Sequence, residues 1–254
     1  VLPEALIPAG YAPAPGLLKD RVVLVTGAAG GVGSAVAKAG ARHGATVILL
    51  GRNVKKLEKL YDEIEAAGGP TPAIYPMNLA GVTWAEMAEA CATFEREFGR
   101  LDGLVHAAAH FTVFSPLADV APRDWMETFQ VNLTAAYTLT RLALPLLEKS
   151  DNGSAVFLTD ATGPDTRAYR GAFGLAKYAV EGMVQAWASE LEHLPQLRLN
   201  AYDPGPLRTF LRLKGYPGED AQTLPGPETA VPGLLYLLGA DSAGLSGKRF
   251  RSGG

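Results

Sequence analysis

The sequence predicts a single α/β domain, a parallel sheet with helices on both faces. Three observations predict it. Short runs of Val, Ile and Leu, the composition of strands covered on both sides, alternate with longer stretches of helical period. A glycine-rich turn leads from the first of those runs straight into the first helix. The 254 residues of the chain fit one such domain without a second core.

Taken in order, Arg21 to Thr26 reads as the first strand, and a helix follows from Gly31 to His43. Ala45 to Leu50 is the second strand, with a helix over Val54 to Ala67 that Gly68, Gly69 and Pro70 end. A strand near Ala73 to Met77, a helix over Trp84 to Phe98 and a strand over Leu101 to Ala107 come next. One long helix is expected from Pro122 towards Leu147, because Pro122 suits a first turn and Pro145 falls in the last. Ser154 to Thr159 is a fifth strand, Gly171 to Leu194 a helix and Leu197 to Ala201 a sixth strand. Pro227 to Leu238 is the last helix, and a short strand is expected near Arg249. The prolines and glycines from Pro204 to Gly226 read as a flap over a site.

Composition narrows the partners. A net charge of −3 with no run of one sign argues against nucleic acid. Cys91, the only cysteine, rules out an internal disulfide and suits a reducing, cytoplasmic setting; no metal cluster is expected. No apolar run approaches the roughly 18 residues that span a bilayer. Residues 1–17 carry Pro3, Pro8, Pro13 and Pro15 and read as a surface arm rather than a signal peptide, leaving 18–254 as the domain.

The turn Thr26-Gly27-Ala28-Ala29-Gly30-Gly31-Val32-Gly33 opens onto a helix whose free N–H groups and dipole suit a pyrophosphate. At a first strand-to-helix junction this favours dinucleotide binding over tight packing alone. The second strand ends in Leu50-Gly51-Arg52-Asn53, offering a guanidinium where an NAD site places a carboxylate. Arg52 is therefore either a solvated surface charge or a partner for a 2′-phosphate, which favours NADP(H) over NAD(H).

With Asn132 in Gln130-Val131-Asn132-Leu133, Lys177, and Asp203-Pro204-Gly205 followed by Thr209, this turn resembles the short-chain dehydrogenase/reductases from about Leu18 to Phe250. The stretches Arg42 to Asn53 and Val180 to Met183 are most similar to a bacterial group of oxidoreductases in that family. The resemblance implies a Rossmann-type doubly wound sheet of seven parallel strands and a nicotinamide cofactor held by Gly27, Gly31, Val32, Gly33, Arg52, Asn78, Lys177, Pro204, Gly205 and Thr209. It further implies a small carbonyl or alcohol substrate of unknown identity, and a homodimer or homotetramer formed through the long helix and the helix carrying Lys177. Its tetrad of Asn, Ser, Tyr and Lys keeps Asn132 and Lys177, but Asp160 stands at the serine and Phe173 at the tyrosine. Ala109 replaces a glycine after the fourth strand, and Asn78 an acidic residue near adenine.

A phenylalanine has no proton to give, and losing a general acid removes about 10² to 10⁴ in rate. The resemblance thus implies an NADP(H)-binding oxidoreductase with impaired or absent carbonyl reduction, a pseudoenzyme. The alternative is an active enzyme with another proton donor. Asp160 and Lys177 are expected to form an ion pair, whether as a structural remnant or for retained chemistry. Tyr178 faces away from position 173 around the helix. His106 and His110 read as structural, and Trp84, Trp125 and Trp187 as core or interface residues.

Overall fold

The computed structural model describes residues 2–252. Its strands are β1 (Glu4–Leu6), β2 (Val22–Thr26), β3 (Thr46–Gly51), β4 (Ala73–Pro76), β5 (Gly103–His106), β6 (Gly153–Leu158), β7 (Leu197–Asp203) and β8 (Arg249–Arg251). They form one sheet in the order β1-β8-β7-β6-β5-β2-β3-β4, and every pairing is parallel. The chain winds outward from β2 to β4 and then returns to β5 on the other side of β2. The crevice at the carboxyl ends of β2 and β5 is the topological switch point, where doubly wound folds bind ligands.

Side-chain alternation along the strands builds two cores. Leu24, Ile48, Leu104, Ala155 and Leu199 point to one face, which α3 (Trp84–Phe98), α5 (Ala135–Glu148) and α6 (Gly171–Glu190) cover. Val23, Val25, Val47, Leu49, Val105 and Val156 point to the other, against α1 (Gly31–Arg42), α2 (Val54–Ala66) and α8 (Val231–Leu238). Each fully buried Leu, Ile or Val contributes about 1.5–3 kcal/mol. Helix α3 begins where predicted because Thr83 and Glu86 cap each other's backbone N–H.

Three expectations need correction. The sheet has eight strands among the described residues, not seven, because the arm expected over residues 1–17 does not stand off where it is described, from residue 2 on. Leu2 and Ile7 are buried and bracket β1, which pairs with β8. Arg249 N–H donates to the Pro3 carbonyl at 2.9 Å and Ile7 N–H to Arg251 at 2.9 Å; Pro3 sits before the strand, where its missing N–H costs no ladder bond. The long helix is also not uniform: α4 (Pro122–Phe129) passes through a π-helical turn, Gln130–Thr134, before α5. Finally, the flap is not all loop. Thr209 accepts a hydrogen bond from Arg212 N–H at 3.2 Å and caps the short helix α7 (Phe210–Gly215). Among the described residues no helix is long and apolar enough to cross a membrane.

Candidate functional site

The turn after β2 is built from backbone. Gly27 has φ +63°, and a Cβ there would stand 2.7 Å from Ala108 Cα. A Cβ on Gly33 would overlap the Gly27 carbonyl oxygen. Only glycines let the turn, the helix and the segment after β5 lie so close. Gly30 is the N-cap of α1, with no side chain satisfying the first N–H groups and no acidic residue in the first turn. Those donors and the positive end of the helix dipole face the crevice, the setting that suits a bound pyrophosphate.

A cleft of about 690 Å³ opens there, within the range of ligand sites. Gly27, Gly31, Val32 and Gly33 line one end, Arg52 and Asn78 one side, Pro204, Gly205 and Thr209 the flap, and Asp160, Phe173 and Lys177 the opposite end. Thr209 Cγ2 would lie 3.1 Å from a Cβ on Gly31, so the flap rests on the glycine turn. Lys56, on the first turn of α2, lines the cleft beside Arg52, and neither is in an ion pair among the described residues. Sequence reading missed Lys56; its place four residues past Arg52, on a helix that Asn53 caps, was the available signal.

The last turns of the cleft are held by side chains. Lys177 is buried and donates to the Leu158 carbonyl at 2.7 Å; its Nζ lies 5.6 Å from the centroid of the Phe173 ring, one turn earlier on α6. Burial pushes its ammonium below the usual lysine range, while the charges of Asp160, Glu181 and Asp203 oppose that shift. The expected Asp160–Lys177 ion pair is absent among the described residues. Asp160 instead accepts from Thr162 N–H at 2.8 Å and from the Thr162 hydroxyl, closing a turn on its own loop. Asn132, in the π-helical turn, accepts from His110 N–H at 2.8 Å and donates to the His110 carbonyl at 2.8 Å. It therefore clamps the loop after β5 rather than lining the cleft. Ala109 lines the cleft and is exposed. Tyr178 is 51% exposed, away from the cleft as expected.

Of the two histidines, His106 is structural as read. It is stacked on Phe157 at 4.5 Å and hydrogen-bonded to the Thr140 hydroxyl at 2.8 Å; burial lowers its pKa to about 3, with the Lys177 charge adding to the shift. Behind Lys177 lies a network that sequence reading missed. Arg249, buried, donates to Glu181 Oε1 at 3.1 Å, to Asp203 Oδ2 at 2.6 Å and to the Asp160 carbonyl at 3.1 Å, and pairs with Glu4 at 3.0 Å. One guanidinium thus ties β1, α6, β7 and the loop after β6 together. Burial raises the Glu181 carboxyl above the usual range, and its Oε2 is a buried acceptor without a partner among the described residues.

The model of the short chain dehydrogenase family matches residues 21–219. The oxidoreductase YciK of Escherichia coli K12 is 39% identical over 94% of this chain and 94% of its own. A short chain dehydrogenase from Pseudomonas syringae superposes with a TM-score of 0.93 at 44% identity, covering 95% of this chain and 98% of that one. One from Shigella flexneri, solved in complex with NADP, superposes at 0.91 with 38% identity over 94% of this chain and 99% of its own. With the switch-point crevice, the glycine cradle and the buried lysine of α6 in one cleft, the chain belongs to the short chain dehydrogenase family.

Proposed function

We propose that the chain binds NADP(H) and is an impaired or inactive carbonyl reductase. The glycine turn from Gly27 to Gly33 would hold the pyrophosphate, since it is a cradle that any Cβ at Gly27 or Gly33 would fill. Arg52 and Lys56 would meet the 2′-phosphate, Asn78 the adenine side, and Lys177 with Pro204, Gly205 and Thr209 the nicotinamide end. The complex of the Shigella flexneri relative with NADP supports the choice of cofactor.

When bound, the nicotinamide supplies a hydride to a carbonyl carbon, and the carbonyl oxygen must then take a proton. The observation that carries the reading is the Phe173 ring, which faces the Lys177 ammonium where a proton donor is needed. Among the described residues no hydroxyl is hydrogen-bonded to Lys177 Nζ, whose bond goes to a carbonyl. Thr162 spends its hydroxyl on Asp160 and Thr159 on Glu181. An ammonium without a hydroxyl to polarise leaves the developing alkoxide with no relayed proton.

NADPH fluorescence titration tests the first half of the reading, and turnover of a carbonyl panel by the native chain and by the Phe173→Tyr, Asp160→Ser double variant tests the second. The double variant is expected to gain about 10² or more in rate. Equal turnover by the native chain would establish the alternative, an active oxidoreductase with another acid. We further assign two or four copies to the assembly, meeting at α4 and α6, where Trp125, Met126 and Tyr178 leave apolar surface exposed. Sedimentation velocity of the full chain checks it.

A further inference from the structure

Beyond Lys177 the cleft ends in an aromatic wall. The rings of Phe111 and Phe114 meet edge to face at 4.7 Å, Phe111 and Phe173 at 5.3 Å, and Phe114 and Phe173 at 6.4 Å. Such a wall suits a flat apolar body. Three cations stand over it: Lys177 over Phe173 at 5.6 Å, Lys214 over Phe111 at 6.0 Å and Arg170 over Phe114. Arg170 lines the cleft, with its guanidinium 4.6 Å from the Phe114 centroid and one N–H donated to the Tyr216 hydroxyl.

The fold fixes that position. Arg170 is flanked by Tyr169 and Gly171, both left-handed at φ +68° and +55°, and a tyrosine in that region is costly enough to mark a constrained turn. One turn along α6, a Cβ on Gly174 would stand 2.6 Å from Arg170 Cβ, so the glycine leaves room for the arginine stem.

The other charges nearby each have a partner, Lys177 in the Leu158 carbonyl at 2.7 Å. Arg212 is bound by both oxygens of Glu219 at 2.7 Å, Lys214 by the Phe111 carbonyl at 2.9 Å and Asp165 by Arg167 at 2.9 Å. Of the two carboxylates lining the cleft, Asp160 is bound to Thr162 and Asp203 to Arg249. Arg170, half-buried, is in no ion pair among the described residues. A guanidinium has five N–H donors, and Tyr216 takes one. A partly desolvated cation without a counter-charge favours the arrival of an anion, and a planar fork matches a carboxylate.

We propose that the ligand of this end of the cleft is a carboxylate on a flat aromatic body, its ring packed on Phe111, Phe114 and Phe173 and its charge held by Arg170. A single fork matches a monoanion better than a doubly charged phosphate. The proposal rests on the reading of the cleft as a cofactor and substrate site and adds the substrate class to it.

The test titrates 2-naphthoate and its neutral counterpart 2-naphthamide into the full-length protein by calorimetry, with and without saturating NADPH. The acid is expected to bind about tenfold or more tightly than the amide, as a charge-assisted bond requires. Arg170→Gln is expected to bring the two to parity, and Arg170→Lys, which keeps charge without the fork, to retain part of the difference. Equal affinities in the native chain, no binding of either probe, or a preference that survives Arg170→Gln overturn the proposal. The native comparison needs no variant, so it reads out even if a substitution unfolds the chain. Absence of NADPH binding in the parallel titration counts against the proposed cofactor alone, because the two probes are also compared without it.

Discussion

The turn after β2 and the crossing after β6 leave the same edge of the same sheet for a helix, on opposite plans. The first takes only residues 27–30 and makes its surface from backbone N–H groups, with no side chain larger than the methyls of Ala28 and Ala29 and with glycines at the closest approaches. The second takes residues 159–170 and makes its surface from side chains satisfied elsewhere: Thr159 on Glu181, Asp160 on Thr162, Lys177 on Leu158, Arg249 on the Asp160 carbonyl. A backbone surface tolerates any residue that leaves the turn intact, so it keeps its ligand while its neighbours change. A side-chain surface changes function with one substitution and keeps its fold if the new residues find partners. Binding without turnover is the outcome this asymmetry permits.

The largest expected effect lies in the second region. Arg249→Met would leave Glu181 and Asp203 buried without their cation, and removing one partner of such a pair costs about 3–5 kcal/mol. Urea denaturation at neutral pH measures it. Glu181→Gln should cost far less, because Glu181 already has one unpartnered oxygen and its burial disfavours the charge. Equal losses from the two variants would mean that the carboxylate, not the arginine, holds the crossing together.

In the first region the expected loss is of binding before stability. Gly33→Ala would drive a Cβ into the Gly27 carbonyl and force the turn open, at about 1–3 kcal/mol of stability. NADPH affinity should fall by about a hundredfold, since roughly 2.7 kcal/mol of oriented N–H donation corresponds to that factor. An alanine variant that binds normally would break the contrast, showing that the turn is as adaptable as the crossing. Smaller still is Arg52→Ala. An exposed cation is screened by solvent, so NADPH should weaken about tenfold while NADH holds steady, read by fluorescence titration of both cofactors.

The same asymmetry governs what could be read from the sequence. The glycine turn was legible because its constraints are local: strand, glycine spacing and helix lie within a dozen residues, and only backbone geometry is at stake. The Arg249 network was not, since its partners Asp203 and Glu181 lie 46 and 68 residues away and no local pattern announces them. Asp160 misled for a related reason. A carboxylate beside a buried lysine suggests an ion pair, yet Thr162, two residues on, satisfies it first. Strand β1 was hidden by the prolines around it, although Leu2 and Ile7 were the apolar signal of its burial. Arg170 carried no signal in sequence, because its value lies in what does not pair with it.

The smallest effect tests the ground between the two regions. His106 ends β5, below the residues that meet Gly27, and it is buried and neutral. Its folded pKa, about 3, lies below its ordinary 6.5, so the unfolded chain binds the proton first as the pH falls. Its contribution to stability is therefore complete above pH 6.5 and is lost as the pH falls from 6.5 towards 3, by up to about 1.4 kcal/mol per unit. His106→Gln can still bond Thr140 and has no charge to gain, so the difference in stability between native and variant chains should shrink or reverse between pH 7.5 and 5. Urea midpoints at those two values measure it. A difference independent of pH would mean that water reaches His106, and then the Lys177 ammonium beside it would be solvated too, removing the desolvation on which the contrast between the two regions depends.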